Sequence, residues 1–336
     1  MNILKLTYVG PLAIALLGAL CIVGCAGPVA AVQPELTPRT LADVRQATLA
    51  VAQPDHPRVA LVLGGGGLRG FAHLGVLRAL EEAGIQPDIV VGTSAGAVVG
   101  AAYASGMSAS QVESIARNVK LSSLIDLTFS SSGLMRGDKI ARWVDTFTAG
   151  VPIEKFPRRF AAVATDLRSG TALLLDSGSP GAAVQASAAV PGPQVPVAYK
   201  GGHLVDGGIA SLVPVRFARA LGADFVVAVD IYCQGPPGEG LAMPSILLQV
   251  MRVQSCMVAA PEMAEADVLI SPAVSVSGMS AKEDQERAIA SGYEATLAVV
   301  PQLKTHLEKA KPRIDPAAVA VAAGGSPSAT LSVVRP

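Results

Sequence analysis

The stretch DIVVGTSAGAVVGA, residues 88–101, decides how this chain is organised. Its first part is a short apolar run that is typical of a strand buried on both faces, and its second part is a small-residue helix pattern. One serine, Ser94, stands at the junction, with Gly92 and Gly96 two positions away on either side. Gly-x-Ser-x-Gly between a strand and a helix is typical of a nucleophile elbow, where a strained turn exposes the serine hydroxyl above the carboxyl ends of the strands. An ordinary glycine-rich turn is the alternative, and the strand and helix around the motif favour the elbow.

A second motif, GGGGLRG at residues 64–70, also lies between a predicted strand and a predicted helix. Gly65, Gly67 and Gly70 match the dinucleotide pattern G-x-G-x-x-G. That interpretation needs an acidic residue at the end of the second strand, where this chain has Gly-Thr-Ser-Ala-Gly. A phosphate-binding P-loop is excluded because no Gly-Lys-Ser/Thr follows. The remaining interpretation is a site for an anion, formed by backbone N–H groups at a helix start beside Arg69.

The rest of the body alternates strand and helix patterns, which predicts an α/β fold with a mostly parallel sheet covered on both faces. Strands are predicted at 59–64, 88–92, 160–167, 171–176, 224–232 and 267–271. Helices are predicted at 71–83, 95–106, 108–120, 137–149, 182–189, 212–221, 243–258 and 282–309. The apolar segments 121–135 and 243–257 are interpreted as core or as the lining of an acyl groove, with core favoured for most of their side chains.

A serine nucleophile needs a base. The four histidines are expected to have structural or surface roles: His56, His73, His203 and His306. The remaining candidate is Asp206, which precedes Gly207 and Gly208 after a short apolar run and, taken alone, would be read as part of a turn. No Cys/His cluster has the spacing of a metal site, so we expect chemistry without a metal or cofactor.

Together these motifs resemble the patatin-like phospholipase family. The resemblance rests, in chain order, on GGGGLRGFAHLGVLRAL, VVGTSAGAVVGA, GLMRG (133–137), ATDLRSG (164–170), ASAAVPG (186–192) and HLVDGGIASLVPV. It implies a three-layer α/β/α sandwich and a lipid acyl hydrolase that cleaves the carboxylic esters of phospholipids or lysophospholipids.

Carried onto this chain, the resemblance makes Ser94 the nucleophile and Asp206 the general base. It makes the loop with Gly65, Gly66, Gly67, Arg69 and Gly70 the oxyanion hole. Pro193-Gln194 stands where the family often has phenylalanine, which puts the acyl-chain preference in doubt rather than the chemistry. Two alternatives stay open: an esterase or thioesterase for small acyl substrates, and a non-catalytic lipid-binding lipoprotein.

The N-terminus has the parts of an export signal, because Lys5 is followed by an apolar stretch without formal charge until Glu35. Ile22-Val-Gly-Cys25 resembles a bacterial lipobox and predicts lipidation of Cys25, whereas the bulky Leu20 argues against Cys21. An uncleaved membrane-spanning anchor is the alternative. Ala26 after the cysteine resembles an outer-membrane sorting pattern, so we expect a lipoprotein of the outer membrane facing the periplasm.

The sequence thus divides into a signal with its lipidation site (1–25), a tether (26–57), the enzymatic domain (58–310) and a disordered tail (311–336). Lysine plus arginine and aspartate plus glutamate number 26 each, so no net field would attract nucleic acid. Membrane lipids are the expected partners. Processing would leave Cys233 and Cys256 in the body, either paired or as buried thiols.

Overall fold

The computed structural model describes residues 36–49, 56–236, 240–275 and 282–310. An eight-stranded sheet runs in the order β10-β9-β1-β2-β5-β8-β7, and β6 pairs with β5 off this path. Its strands are β1 (Val59–Leu63), β2 (Ile89–Thr93), β5 (Arg159–Asp166), β6 (Ala172–Leu175), β7 (Val197–Tyr199), β8 (Gly202–Asp206), β9 (Phe225–Val229) and β10 (Val268–Ile270). A separate hairpin is made of β3 (Leu127–Ser130) and β4 (Gly133–Met135).

The five strands β10, β9, β1, β2 and β5 are all parallel, as the alternation of strands and helices predicts. The strands β6 and β8 pair antiparallel with β5, and β7 pairs antiparallel with β8. The central strands are buried on both faces because their residues are almost all apolar, as in VALVL of β1.

Helices cover both faces of this sheet. They are α1 (Leu41–Leu49), α2 (Phe71–Glu82), α3 (Ala95–Ala104), α4 (Ala109–Asn118), α5 (Asp138–Phe147), α6 (Pro180–Ser187), α7 (Val215–Ala220), α8 (Met243–Met263) and α9 (Lys282–Lys309). Alternate residues of β1 face opposite cores. Leu61 belongs to the core that includes side chains of α2, α3, α6 and α9, whereas Val62 belongs to the core that includes side chains of α1, α7 and the end of α8. The predicted three-layer α/β/α sandwich is confirmed.

The strand β5 joins the two halves of the sheet that carry the elbow and the candidate base. Val163 pairs with Thr93 of β2, and the next residue, Ala164, pairs with Asp206 of β8. Because β6 occupies the opposite edge of β5 over the same residues, β2 and β8 must share one edge. Both strands end there, head to head, so the residue after Thr93 is brought beside Asp206.

Part of the predicted tether belongs to the folded body. Leu36 and Val44 are buried, the backbone of Arg39 bridges that of Leu174, and the Arg39 guanidinium contacts Asp176 at 2.7 Å. The prediction of a tether through residue 57 is therefore wrong for 36–49, because Val44 packs in the core beside α7 and Leu36 packs in the core on the other face of the sheet. The predicted signal, Cys25 and the tail lie outside the described residues.

The two cysteines of the body form a disulfide, Cys233–Cys256, which joins the segment after β9 to α8. No helix among the described residues is both long and apolar enough to cross a membrane.

Candidate active site

Ser94 occupies the tight turn between β2 and α3, with φ 54° and ψ −119°. A side chain at positive φ is strained, and such strain is typical of functional turns. A Cβ on Gly92 would lie 2.4 Å from the Gly96 carbonyl oxygen, and a Cβ on Gly96 would lie 2.0 Å from that of Leu63. Both glycines of the motif are therefore required by the close approach of backbone to backbone, and the turn has the geometry of a nucleophile elbow.

The backbone of this turn is fixed by Ser187, which lies at the end of α6. The N–H of Ser94 donates to Ser187 Oγ at 2.9 Å, and that hydroxyl donates to the carbonyl of Val163 at 2.6 Å. Sequence reasoning did not assign a role to Ser187, although it lies within the ASAAVPG motif. In the sequence, the only indication of a role for Ser187 is its position as a lone hydroxyl between Ala186 and Ala188.

The Asp206 carboxyl is buried at the end of β8 beside Ser94, whose side chain lowers the pKa of this carboxyl as a hydrogen-bond donor. Its Oδ1 also accepts the N–H of Gly208 at 2.7 Å. Burial raises the pKa of Asp206 to about 6, against the two hydrogen bonds, which lower it. A carboxylate with a raised pKa in contact with an elbow serine is equipped to accept the serine proton.

The two glycines after Asp206 serve its placement. A Cβ on Gly207 would lie 2.1 Å from the Val163 carbonyl oxygen, so only glycine allows β8 to end this close to β5. A Cβ on Gly208 would lie 3.0 Å from Asp206 Oδ1. At Gly208 the missing side chain leaves the carboxyl free to accept the N–H of this residue.

The glycine loop passes beside the serine, since a Cβ on Gly65 would lie 3.3 Å from the Cβ of Ser94. The Gly65 N–H, however, donates to the Leu212 carbonyl at 3.0 Å. The N–H of Gly65 is therefore not a free donor, and the oxyanion hole formed by its loop stays a prediction. Within the described chain, the N–H groups of Gly66 and Gly67 have no such acceptor.

Arg69 and Gly70 support this loop by packing. Arg69 Nε donates to the Val274 carbonyl at 3.2 Å, and its guanidinium lies over the ring of Tyr232 at 5.2 Å from the centroid. A Cβ on Gly70 would lie 2.9 Å from that of Ala95, so glycine lets the loop approach the start of α3. Their contacts fit a structural role in the loop better than a direct role as donors.

The histidines contribute no base to this arrangement. His73 is fully buried and its Nε2 pairs with the Gly64 carbonyl at 2.8 Å. Burial lowers the pKa of His73 to about 4, so it is neutral at pH 7 and orients the glycine loop. His203 is exposed on β8, and His56 and His306 are exposed elsewhere. Over the described residues, no group of three or more His, Cys, Asp or Glu could bind a metal ion.

Comparison with known proteins points to one family of domains. Residues 61–219 match the family model of the patatin-like phospholipases. An uncharacterized NTE family protein of Mycobacterium tuberculosis is 39% identical over 188 residues, which are 55% of this chain and 52% of that protein. The patatin-like phospholipase domain-containing protein 6 of Mus musculus is 35% identical over 220 residues, 62% of this chain and 16% of that protein.

The chain thus spans about half the length of the mycobacterial relative. The crystal structure of VipD from Legionella pneumophila superimposes with a TM-score of 0.50 over 85% of this chain and 73% of the other. At 18% identity this likeness concerns the fold alone. Residues 61–219 of this chain thus form a domain of the patatin-like phospholipase family.

Proposed function

We propose that this protein is a lipid acyl hydrolase that cleaves carboxylic esters of phospholipids or lysophospholipids with a Ser94–Asp206 dyad. The observation that carries the proposal is the register of the sheet, which ends β2 and β8 head to head and so brings the elbow serine Ser94 beside the buried carboxyl of Asp206. The patatin-like phospholipase domain supports the lipid substrate. No histidine of the described residues is hydrogen-bonded to Ser94, which supports the carboxylate as base.

In the first step Asp206 accepts the proton of Ser94 as the serine oxygen attacks the ester carbonyl carbon. The carbonyl π electrons move to oxygen, which becomes an oxyanion. The N–H groups of Gly66 and Gly67 supply donors for this oxygen, together with that of Ala95 at the start of α3. One such preorganised donor contributes ~3 kcal/mol of transition-state stabilisation.

The tetrahedral intermediate then expels the alcohol of the substrate, which takes the proton from Asp206. The fatty acyl group remains as an ester on Ser94. Water next replaces the alcohol: Asp206 accepts one of its protons, hydroxide adds to the acyl carbon, and the serine oxygen leaves with that proton. The products are a free fatty acid and the regenerated dyad.

The decisive experiment is an assay of the purified protein with three substrates: a phospholipid, a lysophospholipid and a short-chain ester. We expect fatty acid release from the first two, and its loss in Ser94→Ala. Ser105→Ala is the matched control, because Ser105 lies at the other end of α3 and its hydroxyl donates to the Ala102 carbonyl. Equal release by both variants would show that a contaminant is responsible.

The same assay separates the two alternative functions. Turnover confined to the short-chain ester would favour a small-substrate esterase or thioesterase. Binding of phospholipid without any release of fatty acid would favour a lipid-binding lipoprotein that keeps the fold without the reaction.

We also propose that Cys25 is lipidated and tethers the protein to the outer membrane, on the basis of the Ile-Val-Gly-Cys stretch. Several acyl chains hold a protein firmly, since each buried CH₂ contributes ~0.8 kcal/mol. Cys25→Ser should prevent lipid labelling and signal cleavage in cells. Labelling that persists in this variant would contradict the proposal.

A further inference from the structure

The helix α8 exposes an apolar face to solvent. Ile246, Val250, Val253 and Met257 recur at spacings of three and four residues, which places them on one side of the helix. Their neighbours Leu241, Met243, Leu247 and Val258 are exposed as well, and Met257 is 72% exposed. The interpretation of this segment as core, which the sequence favoured, is wrong for these exposed side chains.

This face carries no charge. Between residues 241 and 261 the only charged residue is Arg252. Its guanidinium turns inward and donates to the carbonyls of Tyr232, Cys233, Gly235 and Pro236. The disulfide Cys233–Cys256 joins the same helix to the same segment. These contacts hold the helix on one side, and its outer face is apolar apart from the exposed amide of Gln254.

A second exposed apolar element lies on a different part of the chain. The hairpin β3–β4 projects Phe129, which is 104% exposed, together with Leu127 at 80% and Leu134 at 64%. A folded protein rarely exposes an aromatic and two leucines on one narrow hairpin without a function for them.

Both elements are attached to the residues that flank Asp206. The N–H groups of Leu134 and Met135 donate to the Pro193 carbonyl at 3.0 Å, in the segment that follows α6. The N–H of Asp206 donates to Ala189 in the same connection at 2.9 Å. On the other side, α8 contacts the turn Gly207–Ile209 that directly follows Asp206.

We propose that the outer face of α8 and the hairpin β3–β4 form one docking surface that inserts into the acyl region of a lipid bilayer. A bilayer fits these observations because it accepts apolar side chains from separate elements without requiring a complementary partner surface. The surface adjoins the dyad, so a docked enzyme would meet lipid at its active site. The docking surface rests on the proposed function in one respect, which is that the substrate is a lipid.

The test is a local measurement of contact with acyl chains, which does not depend on how the N-terminus is anchored. In the full chain with Trp143→Phe, a single tryptophan is introduced as Leu247→Trp, Phe129→Trp or Leu297→Trp. Leu297 is the matched control, since it is 44% exposed on α9 against 55% for Leu247 on α8. Each variant is mixed with vesicles of phosphatidylcholine and phosphatidylglycerol whose acyl chains are brominated.

We expect quenching of tryptophan fluorescence in the Leu247 and Phe129 variants and none in the Leu297 variant. Equal quenching at all three positions, or at none, would overturn the proposal. A second result would also overturn the proposal: a dimer in solution in which the Leu247→Trp fluorescence already shows a tryptophan shielded from water without vesicles. A second copy of the chain would then cover the face. This readout needs no turnover, so it can fail independently of the proposed function.

A second measurement links the surface to activity. The double variant Leu247→Glu, Val253→Glu should hydrolyse phospholipid in vesicles at least about tenfold more slowly. The reason is that two apolar side chains that insert into the bilayer are replaced by charged ones. Its hydrolysis of a soluble short-chain ester should be unchanged. Equal losses on both substrates would indicate damage to the site and would contradict a docking role.

Discussion

Replacing Asp206 with asparagine should abolish turnover and at the same time stabilise the fold at neutral pH. The carboxyl is buried, and burial raises its pKa from 3.8 to about 6. Asparagine has the same shape and can still accept the Gly208 N–H through its Oδ1. The substitution therefore removes the free-energy penalty of a buried negative charge with little change in packing.

The magnitude follows from the pKa shift. Because the folded pKa lies above the unfolded value, the folded chain binds more protons between the two, and stability falls as pH rises through this window. Each pKa unit corresponds to 1.36 kcal/mol, so a shift of about two units lowers the free energy of unfolding by about 3 kcal/mol above pH 7. At pH 5 only about half of this penalty is present, because the folded carboxyl is then mostly protonated.

Denaturant unfolding of the wild type and Asp206→Asn at pH 5 and pH 8 checks this reasoning. The variant should be the more stable of the two, and its advantage should be larger at pH 8 by about 1.5 kcal/mol. An advantage that is the same at both pH values, or a destabilised variant, would show that the carboxyl is not the source of a buried-charge penalty.

Four further results are expected. The kcat/KM for a phospholipid should rise with pH through about 6 as Asp206 loses its proton, and a pH-rate profile of the free enzyme measures this. Ser94→Ala should be as inactive as Asp206→Asn and the double variant little worse, whereas His203→Gln should keep most of the rate per folded molecule in the same assay. Gly96→Ala should prevent soluble expression, because its Cβ would lie 2.0 Å from a carbonyl oxygen of β1. Gly67→Ala, which has open space but φ 58°, should fold with a loss of about 1 kcal/mol in a melting experiment.

Much of the site could be predicted because its signals are local. The elbow depends on Gly92, Ser94 and Gly96, whose main contacts lie within a few residues of one another or on the adjacent strand. The strands β1, β2 and β9 are continuous apolar runs, and the helices after them show regular apolar spacing. The strand β8 was missed because it is short, pairs antiparallel and is only partly buried at its start.

Other assignments depended on partners far away in the chain. The sequence predicts unhindered N–H donors in the glycine loop. In the structure the Gly65 N–H donates to the carbonyl of Leu212, which lies 147 positions later in the chain. Ser187 fixes the elbow from the end of α6, and no local pattern marks it as a neighbour of Ser94. The pairing of Cys233 with Cys256 was likewise open, because cysteine spacing alone does not fix which thiols meet.

By itself the sequence determined the alternation of strands and helices, the elbow and the family, because these depend on short-range patterning and on backbone sterics at glycine. Only the tertiary structure decided which groups meet. Ser94 and Asp206 come together because β2 and β8 end head to head along one edge of β5. From the sequence, the apolar side chains of α8 could equally have been core. They lie outside because the helix is held on its other side by the hydrogen bonds of Arg252 and by the disulfide Cys233–Cys256.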